Sequence, residues 1–216
     1  MSLIEEKKVL EYIYDTLSSI KYGQENIDAR YHHNSSYKYA PSLVRYGILT
    51  LDELNEHGVI NLSEDQRKIL NAEDHVNGTT GVSLSVVGLD DIWRGEEEYN
   101  PLSPKVVDFL VSPESIPVRS TMHYANEFVH NGSIKPSEIQ SMDVRLIQLL
   151  QNKDKYSDET VKTIIDKYNN LIEAADFILS VNPGIVVREM SNGESYALDV
   201  NKLSRTPKIT TFPQKH

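Results

Sequence analysis

Apolar positions at the start of the chain recur at helical spacing: Leu3, Leu10, Ile13, Leu17 and Ile20, with Glu5, Glu6, Lys7 and Lys8 on the other side. This predicts an amphipathic helix over 3–21, ended near Gly23. The same period returns at Val161, Ile164, Ile165, Tyr168, Leu171, Ile172, Ala175 and Ile178. It predicts a long helix over 158–181, capped by Ser157 and stopped at Pro183-Gly184. Shorter helices are expected at 38–46, with Pro41 in the first turn and Gly47 at the end, and at 51–57. Another is expected at 64–72, where Ser63 precedes Glu64 and Asp65.

Alternation marks the strands. Val82, Leu84 and Val86 alternate with Ser83, Ser85 and Val87, behind the turn signals Asn77-Gly78 and Gly81. Residues 29–34 and 105–112 read as strands, and 141–149 as a strand passing into helix. A hairpin is expected from 185–190 and 195–200, joined by Ser191-Asn192-Gly193. The stretch Tyr124 to Ile139, YANEFVHNGSIKPSEI, reads as a strand, a Gly turn and a Pro-Ser-Glu corner. Residues 89–104 and 113–120 read as loops, the first acidic and carrying Trp93. Residues 201–216 read as a loosely ordered tail. Helices and strands interleave without a regular βαβ rhythm, which predicts an α+β fold.

Composition narrows the field. With 39% hydrophobic and 25% charged residues, the 216-residue chain has the make-up of a globular protein. A net charge of -10 argues against a broad phosphate-binding face. The absence of cysteine removes disulfides, Cys-bound zinc and thiol nucleophiles. No signal-peptide core and no apolar run long enough to span a bilayer is present, so a cytoplasmic protein without a membrane partner is expected.

His32 and His33 are adjacent and diverge on a strand, while His75, His123 and His130 are dispersed, so no metal is expected. Neither glycine-rich phosphate-binding signature occurs, and Ser83 and Ser85 lack a nucleophile elbow. Glu127 stands out as a carboxylate within an apolar and aromatic strand. Burying one is costly unless it has a partner or a task; the plain alternative is a surface acid on an edge strand.

Two groups of residues resemble a family. His33-Asn34-Ser35, then Ala40-Pro41-Ser42-Leu43-Val44 and Tyr46-Gly47-Ile48-Leu49, are similar to the opening of ADP-ribosyltransferase-like domains. There a strand with H-x-[ST] precedes a helix ending in an apolar-x-x-Gly-[IL]-Leu signature. Asn126-Glu127-Phe128-Val129, with Gly132-Ser133-Ile134-Lys135-Pro136-Ser137-Glu138-Ile139, resembles their closing motif. The match covers roughly residues 29 to 145, and the DarT-like DNA ADP-ribosyltransferases share the H-x-[ST] opening.

The resemblance implies a split, antiparallel-rich sheet with flanking helices and NAD in the cleft between its halves. It implies an N-terminal packing helix (1–25), an NAD-binding core (26–150), a C-terminal helix and hairpin of the same domain (151–200), and the tail (201–216). It implies an NAD-dependent mono-ADP-ribosyltransferase of toxin type, with a protein or nucleic-acid acceptor and an antitoxin or immunity partner. Glu127 would be catalytic. His33 and Ser35 would hold the adenosine-side ribose, Ser83 or Ser85 would wall the nicotinamide, and Arg67 or Arg45 would meet the pyrophosphate. Trp93, Tyr99 or Tyr124 would supply stacking. Ala125 departs from the pattern: many members that modify Arg or Asn carry Gln or Glu there. The rival readings are a non-catalytic binding or regulatory module of the same fold, and tRNA 2′-phosphate removal, which needs several basic residues in the cleft.

Overall fold

The computed structural model describes residues 3–71, 78–86, 105–119, 127–151, 156–191 and 194–210. In chain order these form α1 (Leu3–Ile20), β1 (Lys21–Gln24), β2 (Tyr31–Ser36), α2 (Ala40–Tyr46), α3 (Leu51–Glu56), α4 (Glu64–Leu70) and β3 (Gly81–Val86). Next come β4 (Lys105–Val111), β5 (Val118–Arg119), β6 (Glu127–Asn131), a 3-10 turn (Pro136–Glu138), β7 (Ile139–Val144) and α5 (Leu146–Leu150). The last elements are α6 (Asp158–Val181), β8 (Val186–Ser191), β9 (Glu194–Leu198) and α7 (Val200–Ser204).

The strands form a nine-stranded sheet in the order β1-β9-β8-β7-β4-β2-β3-β6-β5. β7 and β8 run parallel, joined through α5 and α6, and the other neighbours run antiparallel. The α+β expectation therefore stands, with an antiparallel-rich sheet and flanking helices.

Register separates two chemistries on the two faces. Residues directly opposite in a ladder share a face, and alternate residues change face. Tyr31 of β2 lies opposite Val111 and Val86, and His33 opposite Phe109, which in turn faces Met142. Tyr31, Val107, Phe109, Val111, Met142, Val144 and Val187 belong to the apolar core, together with the buried stripes of α1, α2, α5 and α6. All eight periodic positions of α6 are buried there. The opposite face is polar: His32, Asn34, Asp108, Ser141, Asp143 and Arg188 occupy the intervening positions, and His32, Asp108, Asp143 and Arg188 are buried.

The pairing is uneven around β2. Its ladder with β4 runs the length of the strand, from Tyr31↔Val111 to Ser36↔Lys105. Its ladder with β3 holds two pairs among the described residues, Tyr31↔Val86 and His32↔Ser85. β3 then follows β6 from Gly81↔Asn131 to Ser85↔Glu127. The sheet thus opens beside His33.

Gly47 closes α2 at φ 85, the left-handed region where glycine carries no Cβ penalty. A Cβ there would sit 2.1 Å from the carbonyl oxygen of Ile134, which accepts from the Ile48 amide at 2.8 Å. Gly47→Ala is expected to destabilise the chain by on the order of 3 kcal/mol, combining backbone strain with a clash against main chain. A urea midpoint within error of the wild type would contradict this.

Glu189 of β8 is fully buried and accepts from the first amides of α5: Leu146 at 3.1 Å, Ile147 at 2.9 Å and Gln148 at 3.3 Å. Burial pushes its carboxyl up to about 8 against these bonds. A carboxyl whose folded value is raised binds its proton more tightly in the native state. Its contribution is fully present below the ordinary carboxyl value, about 4.3, and is lost as pH rises to about 8. Chemical denaturation from pH 5 to 8.5 is expected to show wild-type stability falling more steeply than that of Glu189→Gln; equal slopes would refute the assignment.

Several boundaries moved. The first helix ends at Ile20, and residues 21–24 add a strand that hydrophobic alternation did not mark. The strand expected at 29–34 is Tyr31–Ser36. The strand expected over 195–200 ends at Leu198, because the Asp199 side chain accepts from the Lys202 amide and starts α7. The tail is not loosely ordered over its described part: Leu203 is buried in the core, and Ile209 is held by Asn169 through two hydrogen bonds of 2.8 Å. Residues 211–216, the acidic loop 89–104 and the turn residues Asn77, Asn192 and Gly193 lie outside the described residues.

Candidate functional site

A cavity of about 510 Å³ opens where β2 and β3 part. This is within the usual size of small-molecule sites. His33 and Ser35 of β2 line one wall, and Gly81, Val82 and Ser83 of β3 the facing one. Helix α2 contributes Tyr39 just before it, then Ser42, Leu43 and Tyr46; α3 contributes Leu51 and Leu54. Leu49, Val59 and Ile60 complete a largely apolar bowl. Tyr39 and Tyr46 are half exposed at its edge, 52% and 53%. Tyr37, by contrast, is core.

Ser83 joins the two sides. His33 Nδ1 lies 3.0 Å from the Ser83 carbonyl oxygen. A carbonyl only accepts, so Nδ1 carries the proton and Nε2 is the acceptor nitrogen. Burial lowers the His33 pKa, which keeps the ring neutral. The Ser83 hydroxyl donates to Glu127 Oε1 across β3 and β6. Glu127 is half buried, so its charge is partly desolvated and held by a neutral donor.

The other expected residues are placed as follows. Ser85 stands directly opposite Glu127 on one side and His32 on the other, one row from Ser83, and does not line the cavity. Arg67 is not brought to the cavity: Nη1 is 2.6 Å from Asp52 Oδ1, and Asp52 also accepts from Thr79 Oγ1 at 2.8 Å. That network braces α3, α4 and the residues before β3. The Arg45 guanidinium lies over the Tyr46 and Phe177 rings, 4.9 and 5.0 Å from their centroids. The described lining of the cavity contains no Lys or Arg. Ala125, Trp93, Tyr99, Tyr124, His75 and His123 lie outside the described residues.

Behind His33 lies a polar group that falls outside the sequence expectations. Asp108 accepts from Asn34 Nδ2 at 3.0 Å, lies 3.3 Å from His32 Nδ1 and 3.5 Å from Arg145 Nη1. It anchors the two residues flanking His33, and so holds the strand that carries it. An acid within KVVDFLV, out of phase with its apolar neighbours, was the available signal. Among the described residues no group of three or more His, Asp or Glu is arranged to hold a metal ion, and no helix is long and apolar enough to cross a membrane.

Comparisons with protein-family models, with curated proteins and with solved structures return no match.

Proposed function

We propose that this chain is an ADP-ribosyltransferase-like protein that moves ADP-ribose from NAD to a macromolecular acceptor. The observation that carries the reading is the role of Ser83. Its carbonyl positions His33, its side chain holds Glu127, and it lines the same cavity as His33 and Ser35. Three groups named by the family motifs are thereby connected where the sheet opens.

NAD is the substrate. His33 Nε2 accepts from a ribose hydroxyl, and the Ser35 hydroxyl supplies a second polar contact. Glu127 binds the hydroxyl beside the reacting anomeric carbon. It opposes the positive charge that builds on the ribose as the bond to nicotinamide breaks, and so favours the transition state over the ground state. Nicotinamide leaves with the bonding pair. An oxygen or nitrogen of the acceptor then bonds the anomeric carbon and releases its proton. The exposed rings of Tyr39 and Tyr46 suit a planar base at the cavity edge. The described lining offers hydroxyls rather than a cation to the pyrophosphate, which also speaks against 2′-phosphate removal from tRNA.

Calorimetric titration with NAD, followed by incubation of NAD labelled in its adenylate with cell extract, tests the proposal. Binding, nicotinamide release and label on a protein or nucleic acid are expected. Binding without turnover would identify the non-catalytic module, and no binding would overturn both readings.

A further inference from the structure

His130 of β6 is buried, and its two ring nitrogens have different partners. Nδ1 lies 3.0 Å from the Gly132 carbonyl oxygen, and Nε2 lies 2.9 Å from the Ser115 hydroxyl. Because the carbonyl only accepts, Nδ1 carries the proton. Nε2 is then the acceptor, and Ser115 donates its hydroxyl proton toward it. Ser115 is exposed, in the segment between β4 and β5.

That segment is pinned. Glu138 accepts from the Glu114 amide through Oε1 and from the Lys135 amide through Oε2, each at 2.6 Å, and Lys135 Nζ is 3.0 Å from Glu114. A hydroxyl bonded to an imidazole whose other nitrogen is oriented by a third group is the arrangement that activates a serine. Here a backbone carbonyl fixes the tautomer and the ring, the task a carboxylate performs in many such sites.

We infer that Ser115 is a nucleophilic serine, with His130 as its general base, that takes an acyl or phosphonyl group from an electrophilic ester. Ser115 Oγ bonds the electrophilic carbon or phosphorus, its proton passes to His130 Nε2, and the leaving group departs with the bonding pair. Neither Ser115 nor His130 is among the residues that line the cavity, and the three-residue separation of His130 from Glu127 puts those two side chains on opposite faces of β6.

A fluorophosphonate tests this on the full chain: an Oγ–P bond forms, the P–F bond breaks and fluoride leaves. Peptide mapping is expected to find the label on Ser115, and His130→Asn is expected to slow labelling by about 100-fold. Because His130→Asn removes a buried side chain, S115C supplies an independent measurement. The chain has no cysteine, so the variant carries a single thiol. Paired with His130, that thiol is expected to react with iodoacetamide at pH 6.5 about 10-fold or more faster than a free cysteine, whose pKa is about 8.5. A thiol of ordinary reactivity, or label spread over other serines, would overturn the proposal.

Discussion

Replacement of Glu127 by Gln is expected to slow nicotinamide release from NAD by about 10²–10³-fold, equivalent to about 3–4 kcal/mol of lost transition-state stabilisation. The substitution keeps size and still offers an oxygen to the Ser83 hydroxyl, so the hydrogen bond that positions the side chain survives. What disappears is the negative charge. Charge matters little while NAD is bound intact and much as the ribose becomes cationic. NAD affinity should therefore change by no more than about 3-fold while turnover collapses. Equal release by the two proteins would remove Glu127 from the chemistry, and a large loss of affinity with unchanged turnover would make it a binding residue.

Arg188→Met is expected to cost about 3–5 kcal/mol of folding stability, a fall in Tm on the order of 10 °C. Arg188 Nε and Nη2 donate to the two oxygens of Asp143 at 2.8 and 2.5 Å, and each side chain is 7% exposed. Arg188 Nη1 also reaches the Glu25 carbonyl at 3.0 Å, which ties the segment after β1 to the sheet. Ser141 donates to Asp143 at 2.9 Å. Deleting the guanidinium leaves a buried carboxylate with one neutral donor. The cost is therefore that of an uncompensated charge rather than of a single bond. Changing both residues, Asp143→Leu with Arg188→Met, is expected to recover most of the loss, as apolar replacement of a buried pair commonly does. A double variant no more stable than the single one would point to the hydrogen bonds with Glu25 and Ser141 as the main contribution.

Much of the helical frame was legible because its signals are local. The stripe of α6 and the boundary residues Ser157 and Ser63 involve neighbours within one or two turns, and each fell where the pattern placed it. The strands were legible by alternation where one face is apolar, as in Val82 and Leu84. β1 was not, because KYGQ has no apolar face: only Tyr22 is apolar, and it is exposed. The polar face of β4, β7 and β8 was likewise hidden. Asp108 meets the charge of Arg145, and Asp143 that of Arg188, from far along the chain, and no short window of sequence contains both members of either ion pair. The site divides in the same way. His33, Ser35 and Ser83 meet at the cavity, whereas Arg67 was chosen by charge alone and answers to Asp52 instead. The capping box at Ser63 could be read from four residues; the Asp52–Arg67–Thr79 network could not.

Among the described residues β1 pairs with β9 alone: Lys21 lies opposite Leu198 and Tyr22 opposite Ala197. A strand near the start of the chain is thus seated by one near residue 200. During synthesis, residues 21–24 have no pairing surface until β8 and β9 have emerged, and the parallel partner of β7 arrives equally late. Such long-range closures slow folding, since the loop entropy is spent before the contacts form. The early-made part of the sheet, β2 to β7, must therefore wait with the β7 edge bare, which is the interval when a nascent chain of this design is most exposed to strand-to-strand aggregation.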